Sequence, residues 1–470
     1  MKHTGPMPRH GSRPSRAPSD DRHPGSFPMT AFTATGRRLA AAGFLVAGLF
    51  AATLPAAAMD IQEITTPGGL TAWLVQDDTV PIVAIKFAFA GGASQDPDGK
   101  EGLANLLSAT LDEGAGDLDS QAFQTRLEDL SVRIGFDTGR DNFYGSLRTL
   151  TPNIDDAFEM LRLAVNEPRF DTDAVERMKR QIVSGLRREA NDPDAIAGRV
   201  WAEAAFPGHP YGRPSSGTQD SVTALSPEDL AALHGRLFAR KDLKISVVGA
   251  IGPERLAALL DSVFGALPEA GELVAVADTA LSPEGERKSI ALDVPQTSIR
   301  LGLPALKRDD PDFIPAFVMN HILGGGSFSS WLYEEVREKR GLAYSVGSYL
   351  IPYEHAGLWM AATGTRSDRA EETLAIIQAQ IARMVSEGPS AEELAKAKAY
   401  MTGSYALRFD TSDKIADQLL GLQVEELGMD YIDTRNSLIE AVTLEDVRRV
   451  ADRLLKDARP LVVTVGSGAS

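Results

Sequence analysis

The sequence predicts an α+β fold built twice: two homologous domains, each a mainly antiparallel sheet covered by helices on one face. Three observations lead there. The chain has 470 residues and is 43% hydrophobic, beyond the size at which a single core usually stops growing. Short apolar runs interleave with long helical stretches without a regular strand-helix alternation, which argues against a doubly wound parallel sheet. A long, divergent internal repeat relates the two halves.

The first 28 residues are rich in Pro, Ser, Arg and Gly and cannot form a core, so Met29 is the expected start of translation. Arg37 and Arg38 precede an Ala-rich apolar run that ends in Ala56, Ala57 and Ala58, the layout of a secretory signal peptide cut after Ala58. A membrane anchor needs about 20 strongly apolar residues, and this run is too rich in alanine. The mature chain is therefore expected in the periplasm, without stable membrane insertion. Residues 1–58 read as a disordered leader and signal peptide, 59–267 as the first domain, 268–289 as a Pro-, Gly- and Glu-containing linker, and 290–470 as the second domain.

The leader holds seven Lys/Arg and two Asp/Glu, so its loss takes the formal charge from −17 to −22. Such an acidic chain is a poor partner for nucleic acid or anionic lipid. There is no cysteine, which excludes disulfides, thiolate zinc ligands and a cysteine nucleophile.

The runs "TAWLVQ", "IVAIKFAFA", "FYGSLRTL", "SIRLGLPA" and "LWMAATGT" read as strands. The repeat pairs Leu225 to Ile251 with Val442 to Gly468: each has a capping turn, "SPEDL" or "TLEDV", then an amphipathic helix, then a β-branched strand closed by glycine. A second pair, "FDTDAVERMKRQIVSGLRRE" and "PSAEELAKAKAYMTGSYALR", opens on a Thr or Ser cap, runs as a long helix and precedes a further helical stretch. The stretch "GLANLLSATLDEGAG", Gly102 to Gly116, reads as an amphipathic helix ending in a glycine turn, and it carries no catalytic side chain.

Three segments, "GGASQDPDGKEGLANLLSATLDEGAG", "FPGHPYGRPSSGTQDSV" and "LGGGSFSSWLYEEVREKRGLAYSVGSY", together resemble the pitrilysin or insulinase-like zinc peptidases, including processing-peptidase and respiratory core-protein relatives. The resemblance covers nearly all of the mature chain in order. In that family the helix after "DGKxGLA" carries His-x-x-Glu-His, whose imidazoles bind zinc and whose glutamate is the general base. Laid on this sequence, the two histidines fall on Asn105 and Ala109, the base on Ser108, and the third ligand on Gly185. Every metal-related position is replaced, so the resemblance implies no metal on this chain and a zinc held by a partner. Outside the leader the histidines are His209, His234, His321 and His355, with no close ligand spacing, and a relocated zinc site is not expected. His209 and His234 read as packing or surface residues.

The resemblance implies that an arginine and a tyrosine seven residues apart, here Arg337 and Tyr344, reach substrate bound at a zinc. A guanidinium can fork onto a peptide carbonyl, and a phenol can donate to a developing oxyanion. Read without the family, Arg337 belongs to a solvated helix face and Tyr344 to the core of a strand. Gly324, Gly325 and Gly326 lack the Lys-Ser/Thr ending of a nucleotide loop and read as a tight strand-to-helix turn, which in the family borders the substrate chamber. Trp331 and Phe328 read as core.

The expectation is a non-catalytic subunit that binds unfolded peptides beside a homologous, zinc-bearing partner. The alternatives are a structural protein with the same fold and a homodimeric peptide-binding chaperone.

Overall fold

The computed structural model describes residues 59–282 and 284–467, which fall within one compact unit. The leader, the cut after Ala58 and Gly468 of the repeat lie outside the described residues. In the first half the chain forms β1 (Gln62–Thr65), β2 (Thr71–Gln76), β3 (Ile82–Ala90), helix α1 (Leu103–Ser108) and a small hairpin of β4 (Gly114–Ala115) and β5 (Leu118–Asp119). Helix α2 (Ser120–Leu130) leads into the hairpin of β6 (Arg133–Thr138) and β7 (Asn142–Leu150). Helices α3 (Ile154–Asn166), α4 (Thr172–Glu189), α5 (Pro193–Ala205), α6 (Gln219–Ala224) and α7 (Pro227–Leu237) precede β8 (Lys244–Gly249) and α8 (Pro253–Phe264).

The second half forms β9 (Arg287–Ala291), β10 (Gln296–Pro304), α9 (Phe313–Asn320), β11 (Ala343–Pro352) and β12 (Gly357–Arg366). Helices α10 (Ala370–Ser386), α11 (Ala391–Gly403), α12 (Ser412–Val424), α13 (Tyr431–Ala441) and α14 (Leu444–Leu455) lead to β13 (Leu461–Gly466). The last three residues of the expected linker thus belong to β9. The described part of the rest is tied down: Val274 exchanges hydrogen bonds with the Gln95 amide, and the Thr279 N–H donates to the His355 carbonyl.

The first sheet runs β1-β2-β8-β3-β7-β6 and the second β9-β13-β10-β12-β11. From β2 and from β9 onward the two orders are the same. The last strand of each half, β8 or β13, inserts parallel to β2 or β9 and antiparallel to β3 or β10, and antiparallel pairs follow. This is the mixed, mainly antiparallel α+β architecture that the sequence predicts. Matching capping boxes, Ser226 with Asp229 and Thr443 with Asp446, start the helices before β8 and β13. The second repeated pair differs at its start. Ser390 caps α11 with Glu393, but Thr172 is the first residue of α4, and its N-cap Asp171 makes no capping bond because Arg169 holds its carboxylate at 2.7 Å.

Helices of each half cover one face of that half's sheet, packing for example Leu106, Leu161 and Leu260 on Ile85 and Phe87, and Met319, Ile377 and Val447 on Leu301 and Leu303. The opposite face is covered by a helix from the other half. Helix α5 lays Ile196, Ala197 and Trp201 on Leu358, Leu461 and Val463, and α12 lays Ile415, Leu419 and Leu422 on Trp73, Val75 and Val248. Burial of both faces explains why β3 and β10 read as near-continuous apolar runs. Each has a cation at the fifth of its nine residues, Lys86 or Arg300, and each cation pairs with an aspartate of the exchanged helix, Asp417 at 3.0 Å or Asp194 at 3.0 Å. Among the described residues no helix is long and apolar enough to cross a membrane.

Candidate functional site

Helix α1 is shorter and more buried than its sequence suggests. It spans Leu103–Ser108, and of its residues Leu103, Ala104, Leu106, Leu107 and Ser108 are all buried, so it is a core plug rather than an amphipathic helix reaching Gly116. Two hydroxyls end it: Ser108 donates to the Asn105 carbonyl at 2.9 Å and Thr110 to the Leu106 carbonyl at 2.9 Å. Asp96 anchors its start, accepting the N–H groups of Gly102 and Ala104 at 2.8 Å each. Burial pushes the Asp96 carboxyl up to about 7, against those two N–H donors and the nearby Arg213.

Helix α4, which carries Gly185, packs against α1, which carries Asn105 and Ser108. A zinc there would need about three nitrogen, sulfur or carboxylate donors. Ala109 and Gly185 offer none, the Ser108 hydroxyl is turned onto the backbone, and a Cβ added at Gly185 would meet open space. These residues do not fit the metal.

Arg337 and Tyr344 come together. Arg337 lies in a π-helical turn, Tyr333–Glu338, where the Lys339 N–H reaches back five residues to the Glu334 carbonyl. Such turns are rare and recur at functional sites. The guanidinium sits between two aromatic faces, 4.9 Å from the Tyr333 ring centre and 4.5 Å from that of Tyr344. Among the described residues it meets no carboxylate. Tyr344 is 82% exposed, at a register shift of β11 between Ala343 and Val346, and not in the strand's core.

Phe328, expected in the core, is 73% exposed and packs edge-on to Tyr333, 4.9 Å between centres. Trp331 is buried, donates to Glu393 at 2.7 Å and lies under Arg383. The glycines follow helix α9, not a strand, in a second π-helical turn, His321–Gly325. Their requirement is space: a Cβ on Gly324 would stand 2.4 Å from the Ser348 hydroxyl, and one on Gly325 2.7 Å from the Asn320 amide.

A third cluster escaped the sequence. Asp141, in the β6–β7 turn, meets Glu354 and His355, in the equivalent β11–β12 turn, with ligand-type atoms all within 4.8 Å. Tyr211 donates to Asp141 at 2.7 Å and accepts the His355 N–H at 3.1 Å, the Glu354 N–H donates to Asp141 at 3.3 Å, and His355 Nδ1 lies 3.2 Å from Asp278. Burial, reinforced by Asp141, pushes both the Tyr211 phenol and the Glu354 carboxyl up. These contacts clasp the two halves through corresponding hairpin turns. No local spacing could reveal it, because the residues meet through the fold's internal symmetry; "HPYG" and "YEH" were its traces. His234 instead donates from Nε2 to the Val165 carbonyl, 2.9 Å away, and packs on Phe238, while His209 faces the Ala277 carbonyl at 2.9 Å.

Comparison with known proteins agrees with this picture. Residues 72–219 match the family model described as insulinase (peptidase family M16), and residues 224–401 match the peptidase M16 inactive domain. A Helicobacter pylori protein named non-peptidase homolog YmxG is 25% identical over 407 residues, covering 86% of this chain and 93% of that protein. An uncharacterized zinc protease of Streptomyces coelicolor is 24% identical, covering 86% and 89%. The crystal structure of a peptidase M16 inactive domain from Pseudomonas fluorescens superposes with a TM-score of 0.81 at 29% identity, covering 87% of this chain and 98% of that one. With both halves matched, the chain belongs to the peptidase M16 (insulinase) family.

Proposed function

We propose that this chain is the non-catalytic subunit of a periplasmic zinc peptidase, binding unfolded peptide and lending Arg337 and Tyr344 to the active site of a homologous partner that carries His-x-x-Glu-His and the zinc. One observation carries the reading: the Arg337 guanidinium is held between two tyrosine rings with no acid to neutralise it, and the adjoining Tyr344 phenol is exposed. A structural cation would be expected to find a carboxylate in so acidic a chain. The aromatic clamp fixes the fork and leaves its donors for a peptide carbonyl. The phenol can donate to an oxygen on which charge develops. The name of the Helicobacter relative favours a second reading, a scaffold with no part in catalysis.

The test is reconstitution with a homologous chain bearing His-x-x-Glu-His. This chain alone should hydrolyse no peptide. In the complex, Tyr344→Phe keeps the ring and removes one donor, so kcat should fall by about 10²–10³, and Arg337→Lys should also lower it by losing the fork. Neither change should disturb co-elution of the two chains. Full activity in the Tyr344→Phe complex would return the chain to the role of scaffold.

A further inference from the structure

A cavity of about 610 Å³ opens between the end of α4, helix α5 and the loop that follows Gly212, with Leu186 in its wall. Four arginines line it, Arg140, Arg199, Arg213 and Arg300, against two acids, Glu189 and Asp220. In a chain of formal charge −17 the cavity wall is thus locally rich in arginine. Arg213 and Arg300 are partly neutralised by Asp98 at 2.7 Å and Asp194 at 3.0 Å. Arg140 and Arg199 have no side-chain hydrogen bond or ion pair among the described residues. Arg140 rests instead on the rings of Tyr211 and Tyr353, 5.8 and 5.6 Å from their centres, and the Arg300 guanidinium lies against Gly198, whose added Cβ would stand 3.1 Å from it. Two forks are thus oriented by packing, and Arg300 comes from the other half of the chain.

Like charges converging on a concave site repel unless a counter-charge joins them. A planar guanidinium matches a carboxylate or phosphate with two parallel hydrogen bonds. The volume falls in the range of small-ligand sites, roughly 300–1,000 Å³. We propose that this cavity binds an oxyanion, the carboxylate or phosphate group of a ligand, on Arg140 and Arg199, with Arg213 and Arg300 supplying the surrounding positive field.

The experiment is calorimetric titration of this chain, without a partner, with three probes: inorganic phosphate, a short oligoglutamate peptide and the matching oligoglutamine peptide. Phosphate or oligoglutamate should bind and oligoglutamine should not. A response to phosphate alone assigns the site to free small anions, and tighter binding of oligoglutamate assigns it to acidic peptide. Arg140→Gln and Arg199→Gln should each weaken binding by about tenfold or more, the loss expected for one charge-assisted contact. Arg199 makes neither a side-chain hydrogen bond nor an ion pair among the described residues, so thermal unfolding of Arg199→Gln should match the parent, whereas Arg140→Gln also loses its packing on Tyr211 and Tyr353 and should unfold slightly lower. Raising the salt from about 0.05 to about 0.5 M should weaken parental binding. No binding by the parent chain, or equal binding by both variants, overturns the proposal. Since Arg337, Tyr344 and the zinc-bearing partner play no part in these titrations, failure here leaves the proposed function standing.

Discussion

The two halves lay down the same strands and then part company in the segment between the second strand and the outer hairpin. After β3 the chain makes a six-residue helix whose N–H groups are tied to Asp96 and whose apolar residues fill the core. After β10 it makes α9, two π-helical turns and a cluster in which exposed Phe328 and Tyr344 and half-buried Arg337 gather on the buried Tyr333. In the first half this segment packs Leu103, Leu106 and Leu107 into the core, and in the second it leaves Tyr344 exposed beside Arg337. A duplicated scaffold can therefore keep its sheet and core while the same segment takes two local structures.

The largest test of the equivalence is at the exchanged helices. Trp201 of α5 is buried over Gly302, where an added Cβ would come within 2.1 Å of its ring, and Leu419 of α12 is fully buried over the other sheet. Trp201→Ala should cost about 3–5 kcal/mol and Leu419→Ala about 2–5 kcal/mol in urea unfolding. If the halves depend on each other, both variants will unfold in a single transition. Loss of one half while the other stays folded would break the comparison.

Next is the Asp96 anchor, whose counterpart before α9, Asp310, also accepts a backbone N–H but is paired with Arg453 and held below the usual carboxylate range. The folded pKa of Asp96, about 7, lies above the ordinary 3.8, so the folded state holds the proton longer than the unfolded chain does. Its contribution is full below about pH 4, falls as the pH rises toward 7, and is flat above, at a slope of up to roughly 1.4 kcal/mol per pH unit. Chemical denaturation of the parent and of Asp96→Asn across this window is the check. The slope should flatten in the variant, and an unchanged slope would assign it to other groups.

The smallest effect should come from the matching ion pairs. Asp417→Asn should cost about 0.2–1 kcal/mol, since both partners are partly exposed. Asp194→Asn should cost somewhat more, because Asp194 also accepts the Ser298 hydroxyl at 3.0 Å. Equal costs would mean that this extra bond contributes nothing.

Much of the scaffold was legible in the sequence. "TAWLVQ" and "IVAIKFAFA" coincide with β2 and β3, because apolar strands buried on both faces leave an unbroken signal. The repeat was visible through its capping turns, whose side-chain bonds are local. Helix α1 was misread in length because its end is set by the Ser108 and Thr110 hydroxyls, not by Gly116. The exchange of α5 and α12 was invisible, since an apolar stripe does not say which sheet it will meet. Arg337 and Tyr344 were found by resemblance, whereas the Asp141, Tyr211 and His355 clasp depends on two hairpins more than 200 residues apart being brought together.

The strand order also sets a timetable for synthesis. β13 lies inside the second sheet, between β9 and β10, yet it is the last strand to leave the ribosome. Helix α5 needs it too: Trp201 donates to the Leu461 carbonyl at 3.4 Å, and the α5 core includes Val463 and Val465. Until Leu461–Gly466 emerges, the second sheet stays open in its middle and a helix made some 260 residues earlier has only part of its surface, on β10 and β12, to settle on.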